Sequence, residues 1–205
     1  LSGEANAENW SDLPGRLIVV SGPSGSGKTS LVRRYLARSD AAARLSISAT
    51  TRPPRPGEEN GREYLFLSRT EFEAARDRGE FLEWAEVHGN LYGTPAGPVR
   101  KTLERGDCVI LEIDVQGAMQ AVKRFPSAVL VFVNTSTFFV LEERLRDRST
   151  EDEATIQVRL NNARCEIAAG KVYHHHLINE DLEQAVNDLA SLLSRLGCGG
   201  RDRDA

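Results

Sequence analysis

The stretch Gly22-Pro23-Ser24-Gly25-Ser26-Gly27-Lys28-Thr29 constrains this chain more than any other. It fits the spacing G-x-x-x-x-G-K-[ST], follows the apolar run Leu17-Ile18-Val19-Val20 and leads into an amphipathic pattern over 30–36. A buried strand, a glycine-rich turn and a helix are therefore expected in that order. Glycine is needed in the turn because backbone N–H groups can wrap a phosphate chain only where no Cβ obstructs the curl. The helix opening near Thr29 aims unpaired N–H groups and the positive end of its dipole at the anion. Lys28 places a cation on the β and γ oxygens, and the Thr29 hydroxyl can ligate Mg²⁺. Gly22, Pro23, Ser24, Gly25, Ser26, Gly27, Lys28 and Thr29 are thus the expected cradle of a nucleoside triphosphate.

A chain of 205 residues with 40% hydrophobic content can bury a real core, and one compact domain with insertions is the simplest organisation. Its net charge of −4 argues against a general polyanion binder, so no nucleic-acid partner is expected. Phosphate recognition must then come from individually placed arginines and lysines. Cys108, Cys165 and Cys198 are scattered, odd in number and without metal-ligand spacing, which fits reduced thiols and a cytoplasmic setting. No apolar run has the length of a membrane span, and no membrane partner is expected.

Residues 1–15 read as a loose arm and 197–205 as a disordered tail. Between them, strands are expected at 17–20, 45–48, 64–67, 81–87, 108–113, 128–133 and 177–178. Helices are expected after the cradle to about 38 and at 70–78, 99–105, 115–125, 137–148, 154–169 and 182–196. Ser68 suits the cap of the second helix and Gly79 its end. The prolines of Thr51-Arg52-Pro53-Pro54-Arg55-Pro56-Gly57 forbid helix there, and His88-Gly89-Asn90 marks a hairpin. The fold class is α/β: a parallel sheet core flanked by helices, with a small, mostly β insertion at 48–98 and a helical lid at 140–165. Core segments are 16–47, 99–139 and 166–196. Ligands of such a sheet sit beyond the C-terminal ends of its strands.

Several residues carry chemistry beyond the cradle. Glu112 and Asp114 stand at i and i+2 at the end of an apolar strand, which predicts both on one face, suited to Mg²⁺ held through water. Arg52 and Arg55 are three apart on a polyproline-like path and would point two guanidinium forks to one side, a second phosphate site to which Tyr64 and Tyr92 could add hydroxyls. Arg144 and Arg148 share a helix face, where like charges repel unless an anion lies between them. Arg159 has no acidic residue three or four positions away, whereas Arg146 has Glu142. Arginines on a closing lid would exclude water and stabilise a migrating phosphoryl group. His174, His175 and His176 are adjacent in the chain and converge poorly on a metal.

Taken together these motifs resemble guanylate kinase. The resemblance spans about 16–196 and is carried by the cradle, by Ser48-Ala49-Thr50-Thr51-Arg52-Pro53-Pro54-Arg55-Pro56-Gly57-Glu58, by Phe81-Leu82-Glu83-Trp84-Ala85, by Gly89-Asn90-Leu91-Tyr92-Gly93-Thr94, by Ile110-Leu111-Glu112-Ile113-Asp114-Val115-Gln116-Gly117 and by Ile178-Asn179-Glu180-Asp181. It implies phosphoryl transfer from ATP to GMP with Mg²⁺, and a monomer or weak homo-oligomer. The insertion would bind GMP, with Arg52, Arg55, Tyr64 and Tyr92 on its phosphate and Ser48, Glu83, Thr94 and Asp114 at or near guanine. Lys28, Arg144, Arg148 and Arg159 would carry the electrostatics of transfer, Thr29 and Glu112 would serve Mg²⁺, and Asn179 would lie on the adenine side. Thr94 stands where Ser is more usual, and Ser149 where Gly commonly follows the lid arginine. A non-catalytic module of the same family would have a degraded cradle, and a GTPase switch would need a base-reading motif that this sequence lacks. A sugar-phosphate kinase is the remaining alternative.

Overall fold

The structure, a computed structural model, describes residue 10 and residues 12–38, 41–87, 89–147 and 152–198. In chain order the strands are β1 Arg16–Ser21, β2 Ala43–Leu45, β3 Ala49–Thr50, β4 Leu65–Phe66, β5 Phe81–Val87, β6 Asn90–Pro95, β7 Cys108–Glu112, β8 Val129–Asn134 and β9 His175–Ile178. The helices are α1 Lys28–Leu36, α2 Arg69–Asp77, α3 Ala96–Glu104, α4 Val115–Arg124, α5 Phe138–Asp147, α6 Glu153–Ala169 and α7 Leu182–Arg195. A five-stranded sheet has the order β2-β7-β1-β8-β9 and a four-stranded sheet the order β4-β3-β6-β5. Two compact units result. One takes in the described residues up to Leu17, Arg44–Leu111 and Gln116–Ala128; the other takes in Ile18–Ala43, Glu112–Val115 and the described residues from Val129 onward.

The second unit is layered around a parallel ladder. Ile18, Val19 and Val20 are fully buried, as a strand covered on both faces requires. β1 pairs in parallel with β8, Val19 opposite Leu130, and β8 pairs in parallel with β9, Val131 opposite His175. α1 buries Leu31, Val32 and Tyr35, and α7 buries Ala185, Val186, Leu189, Leu192 and Leu193, both at helical spacing. Outside, Arg34 meets Glu183 at 2.7 Å and Arg38 meets Asn187 at 2.9 Å. Such an exposed ion pair is worth about 0–1 kcal/mol and one buried leucine about 1.5–3 kcal/mol, so apolar burial holds these helices.

α5 and α6 share a core of Leu141, Leu145, Ile156, Leu160 and Ala163, with Phe138 and Ile167 against it. Arg146 binds Glu142 at 2.9 Å, the partner expected from sequence, and also Glu153 at 2.7 Å. Arg146 first, and Gln157 second, hold the Glu153 carboxyl down to about 2. The clasp therefore survives acidification that neutralises ordinary glutamates, and is lost only as pH falls through that value.

In the first unit β5 and β6 form an antiparallel hairpin, with Gly89 at φ 78° in its turn, and β3 adds antiparallel to β6. Phe72 and Phe81 stack at 4.4 Å in a core with Ala49, Ala75 and Leu91. Ser68 caps α2 as expected, accepting from the Glu71 backbone while Glu71 reaches back, a reciprocal capping box.

The structure departs from the sequence reading in four places. The alternating run at 45–48 is not one strand: β2 ends at Leu45, β3 begins at Ala49, and the Ser46 N–H donates to the Ile110 carbonyl at 2.9 Å. β7 stops at Glu112, so Asp114 lies beyond the pleat and the alternation argument does not extend to it. Trp10, read as part of a loose arm, is 3% exposed and meets Phe125 edge to face at 6.5 Å. One large aromatic can anchor a segment that has no period of its own. Finally, Cys108 and Cys198 are disulfide-bonded and buried, and only Cys165 is free, which corrects the reduced-thiol expectation. Chain spacing identifies metal loops but does not say whether a lone cysteine will be oxidised. Residues 1–9, 199–205 and Arg148 lie outside the described residues.

Candidate active site

β1 ends at Ser21 and α1 begins at Lys28, so the cradle is the turn between them. Gly25 and Gly27 have φ of 86° and 79°, the left-handed region. Space is as restrictive as torsion. A Cβ would stand 2.1 Å from the Val133 carbonyl oxygen at Gly22, 3.1 Å from Leu145 at Gly25 and 2.3 Å from the Asn179 amide nitrogen at Gly27. The turn thus rests on β8, is covered by Leu141 and Leu145 of α5, and is braced by Asn179. The Ser26 N–H closes it by donating to Pro23 O at 3.1 Å. Gly27 caps α1 with no side-chain acceptor, so the first N–H groups of the helix are left for an anion.

Asn179 was expected on the adenine side; its buried amide donates to the Ser26 carbonyl at 2.8 Å, and its own N–H donates to Asn134 O at 2.8 Å. Arg144 donates to the carbonyls of Asn179 at 2.8 Å and Glu180 at 3.3 Å. These two residues fasten the end of β9 to the cradle. Asn179→Ala leaves a buried carbonyl unpaired and is expected to lower unfolding free energy by roughly 1–3 kcal/mol. Urea denaturation measures this, and an unchanged midpoint would mean that the Ser26 carbonyl needs no such partner.

The Thr29 hydroxyl donates to Oε1 of Glu112. Two hard oxygen donors side by side suit Mg²⁺, which takes few protein ligands and completes its shell with water and phosphate. The Asp114 charge bears on Glu166 and Tyr173. Burial, the largest effect, pushes the Glu166 carboxyl above the ordinary glutamate range; Asp114 adds to the rise, while Lys28 opposes it. Burial also pushes the Tyr173 hydroxyl up to about 12. Ser21 lies near enough to oppose that rise, yet the hydroxyls of Ser21, Ser26 and Tyr173 are buried without a well-formed hydrogen bond. Sequence reading missed Glu166. It stands seven residues after Arg159 on α6, a same-face spacing that could have drawn attention to it. Arg159 is itself only half exposed.

A second cluster forms in the other unit. Arg52 bonds both oxygens of Glu58 at 3.0 Å and lies over the Tyr64 ring at 5.5 Å. Tyr64 in turn meets Tyr92 edge to face at 6.1 Å. Burial opposes the Arg52 charge, but Glu58, with Tyr92 behind it, outweighs that and holds its pKa above the usual value. Arg55 reaches the same carboxylate through its backbone N–H at 2.7 Å, while its side chain is exposed. That N–H first, and Arg52 second, keep the Glu58 carboxyl below the ordinary range. The two arginines therefore converge on an acid, Glu58, whose role the sequence reading left unassigned.

The strand register assembles the remaining residues. Glu83 on β5 lies opposite Thr94 on β6, and Ser48 directly precedes β3, whose Ala49 pairs with Gly93. The Thr94 hydroxyl donates to Glu83 Oε1 at 2.6 Å, with the two residues 0% and 4% exposed. The histidines take separate duties. His174 Nδ1 accepts the Leu130 N–H at 3.0 Å. His175 is held below its usual pKa by burial first and then by His174, Arg195 and His176. No group of three or more His, Cys, Asp or Glu among the described residues could hold a metal ion, and none of the described helices is long and apolar enough to cross a membrane.

A family model described as guanylate kinase matches residues 14–196. The guanylate kinase of Rubrobacter xylanophilus is 50% identical over 188 residues, covering 91% of this chain and 97% of the relative. That of Thermotoga maritima is 43% identical over 181 residues, covering 88% and 87%. A crystal structure of guanylate kinase from Anaplasma phagocytophilum superposes with a TM-score of 0.73 at 29% identity, covering 89% of this chain and 86% of that one.

Proposed function

Because the chain belongs to the guanylate kinase family, we propose that it transfers the γ-phosphoryl group of ATP to GMP, and also to dGMP, giving ADP and the nucleoside diphosphate. The observation that carries the acceptor is the buried pair of Glu83 and Thr94. A carboxylate can accept from guanine N1–H and N2–H together, and adenine offers no such pair of donors. Arg52, Arg55, Tyr64 and Tyr92 are the residues for the GMP phosphate, and Ser48 joins Glu83 and Thr94 at the base.

ATP belongs to the cradle, with Lys28 on its terminal phosphates and Arg144 and Arg159 as further cations. Thr29, and Glu112 through water, would hold Mg²⁺, which when bound neutralises charge on the β and γ oxygens. Transfer is direct and in line, without a protein nucleophile, because catalysis of this kind is positioning plus charge stabilisation.

A coupled assay of the purified protein with ATP against GMP, dGMP, AMP, UMP and CMP tests the reading. Turnover is expected with the two guanine nucleotides alone. Equal turnover of AMP would overturn the acceptor assignment, and no turnover of any acceptor would favour a binding module.

A further inference from the structure

We propose that Gln120 is a positioning residue for base selection: its side-chain amide clamps the backbone of Trp84 and so fixes where the neighbouring Glu83 presents its carboxylate. The inference rests on Glu83 being the group that reads guanine. The Gln120 amide nitrogen donates to the Trp84 carbonyl at 2.7 Å, and its amide oxygen accepts the Trp84 N–H at 3.2 Å. Both backbone groups of Trp84 are met by one side chain, the pairing that a neighbouring strand would otherwise supply. The Trp84 N–H belongs to the same planar peptide unit as the Glu83 carbonyl, so the clamp holds the backbone of Glu83 as well.

β5 needs such a partner. It ends the order β4-β3-β6-β5, so among the described residues its outer edge meets no further strand. Its register against β6 also slips between Phe81 and Glu83, which lie opposite Pro95 and Thr94. A slip of this kind lets a strand bend and twist, and re-aims the side chains beside it. Glu83 therefore has an irregular ladder behind it and Gln120 on the residue ahead.

The helix that carries the clamp is itself held. α4 buries Gly117, Ala118 and Ala121, and Phe125, one residue past its end, is buried against Trp10. The Trp84 ring gives the strand a weaker anchor, being 37% exposed with the Arg76 guanidinium over it at 5.2 Å. Both Gln120 bonds lie at exposed positions, where water can replace the amide. Losing the clamp thus costs position more than stability.

The test is a double-mutant cycle on base discrimination: kcat/KM for GMP and, at high concentration, for AMP in wild type, Gln120→Met, Glu83→Gln and the double variant. Methionine keeps the length and bulk of the side chain but has no N–H donor and only a weak acceptor. Gln120→Met is expected to lower the GMP-to-AMP ratio roughly tenfold, less than the roughly hundredfold that a misplacement of about 1 Å can cost, with KM for ATP unchanged. In the Glu83→Gln background the same substitution should change the ratio less than about twofold, because Gln120 acts through Glu83. An equal loss in both backgrounds, or a ratio untouched by Gln120→Met, overturns the proposal, since a merely structural residue acts whatever stands at position 83. If Glu83→Gln leaves the ratio unchanged, the base-reading role falls and this one with it; a loss with Glu83→Gln but none with Gln120→Met overturns this one alone. Should Gln120→Met not fold, amide hydrogen exchange of the wild type decides. A standing clamp predicts slow exchange of the Trp84 N–H, and exchange as fast as that of an unbonded edge amide overturns it.

Discussion

Lys28→Ala is expected to lower kcat by roughly 10²- to 10³-fold, the usual scale for removing one preorganised donor from a developing charge, with little change in thermal unfolding. Lys28 opens α1 and is only half buried, and the helix is anchored by Leu31, Val32 and Tyr35 instead. Alanine suits a helix opening and leaves the backbone N–H groups in place. The lost cation is therefore felt in the chemistry, not in the fold. Steady-state kinetics with saturating GMP, alongside a thermal melt, separate the two. Near-normal turnover would remove the cradle from the reaction.

Glu83→Gln is expected to reduce discrimination of GMP from AMP by roughly 1–3 kcal/mol, or about 5- to 150-fold in kcat/KM. The change is nearly isosteric, so the hairpin of β5 and β6 should persist. What changes is the donor and acceptor pattern. A carboxylate accepts on both oxygens, whereas the amide presents N–H donors toward guanine's own donors and leaves one of them unpaired. The Thr94 hydroxyl, 2.6 Å from Glu83, can still donate to the amide oxygen. Discrimination measured with both acceptors under identical conditions decides the point, and an unchanged ratio would take Glu83 out of the base site.

The cradle could be read from the chain because its requirements are local: glycines where φ is positive, a lysine at the helix start, an apolar strand before it. The Ser68 cap was legible for the same reason, since donor and acceptor lie three residues apart. Glu83 and Thr94 required the hairpin register, which the turn at Gly89 sets. Asn179 on Ser26 and the burial of Trp10 against Phe125 were not legible, because each joins residues far apart with no period to announce the meeting. Strand alternation carries only as far as Glu112, where β7 ends, so it does not by itself fix the side on which Asp114 lies.

Arg52 differs from Arg55 in its freedom. Fixing a long, flexible side chain costs about 1.5–2 kcal/mol of rotamer entropy, and for Arg52 the folded protein has already met that cost through Glu58, the Pro53 carbonyl and the Tyr64 ring. If the proposed GMP phosphate is held there, it would meet one guanidinium whose orientation is already settled, and Arg55, with its side chain in solvent, would give up its rotamers at every binding event. Of two arginines that sequence presents as equals, one is held rigid in the folded protein and the other is free to move.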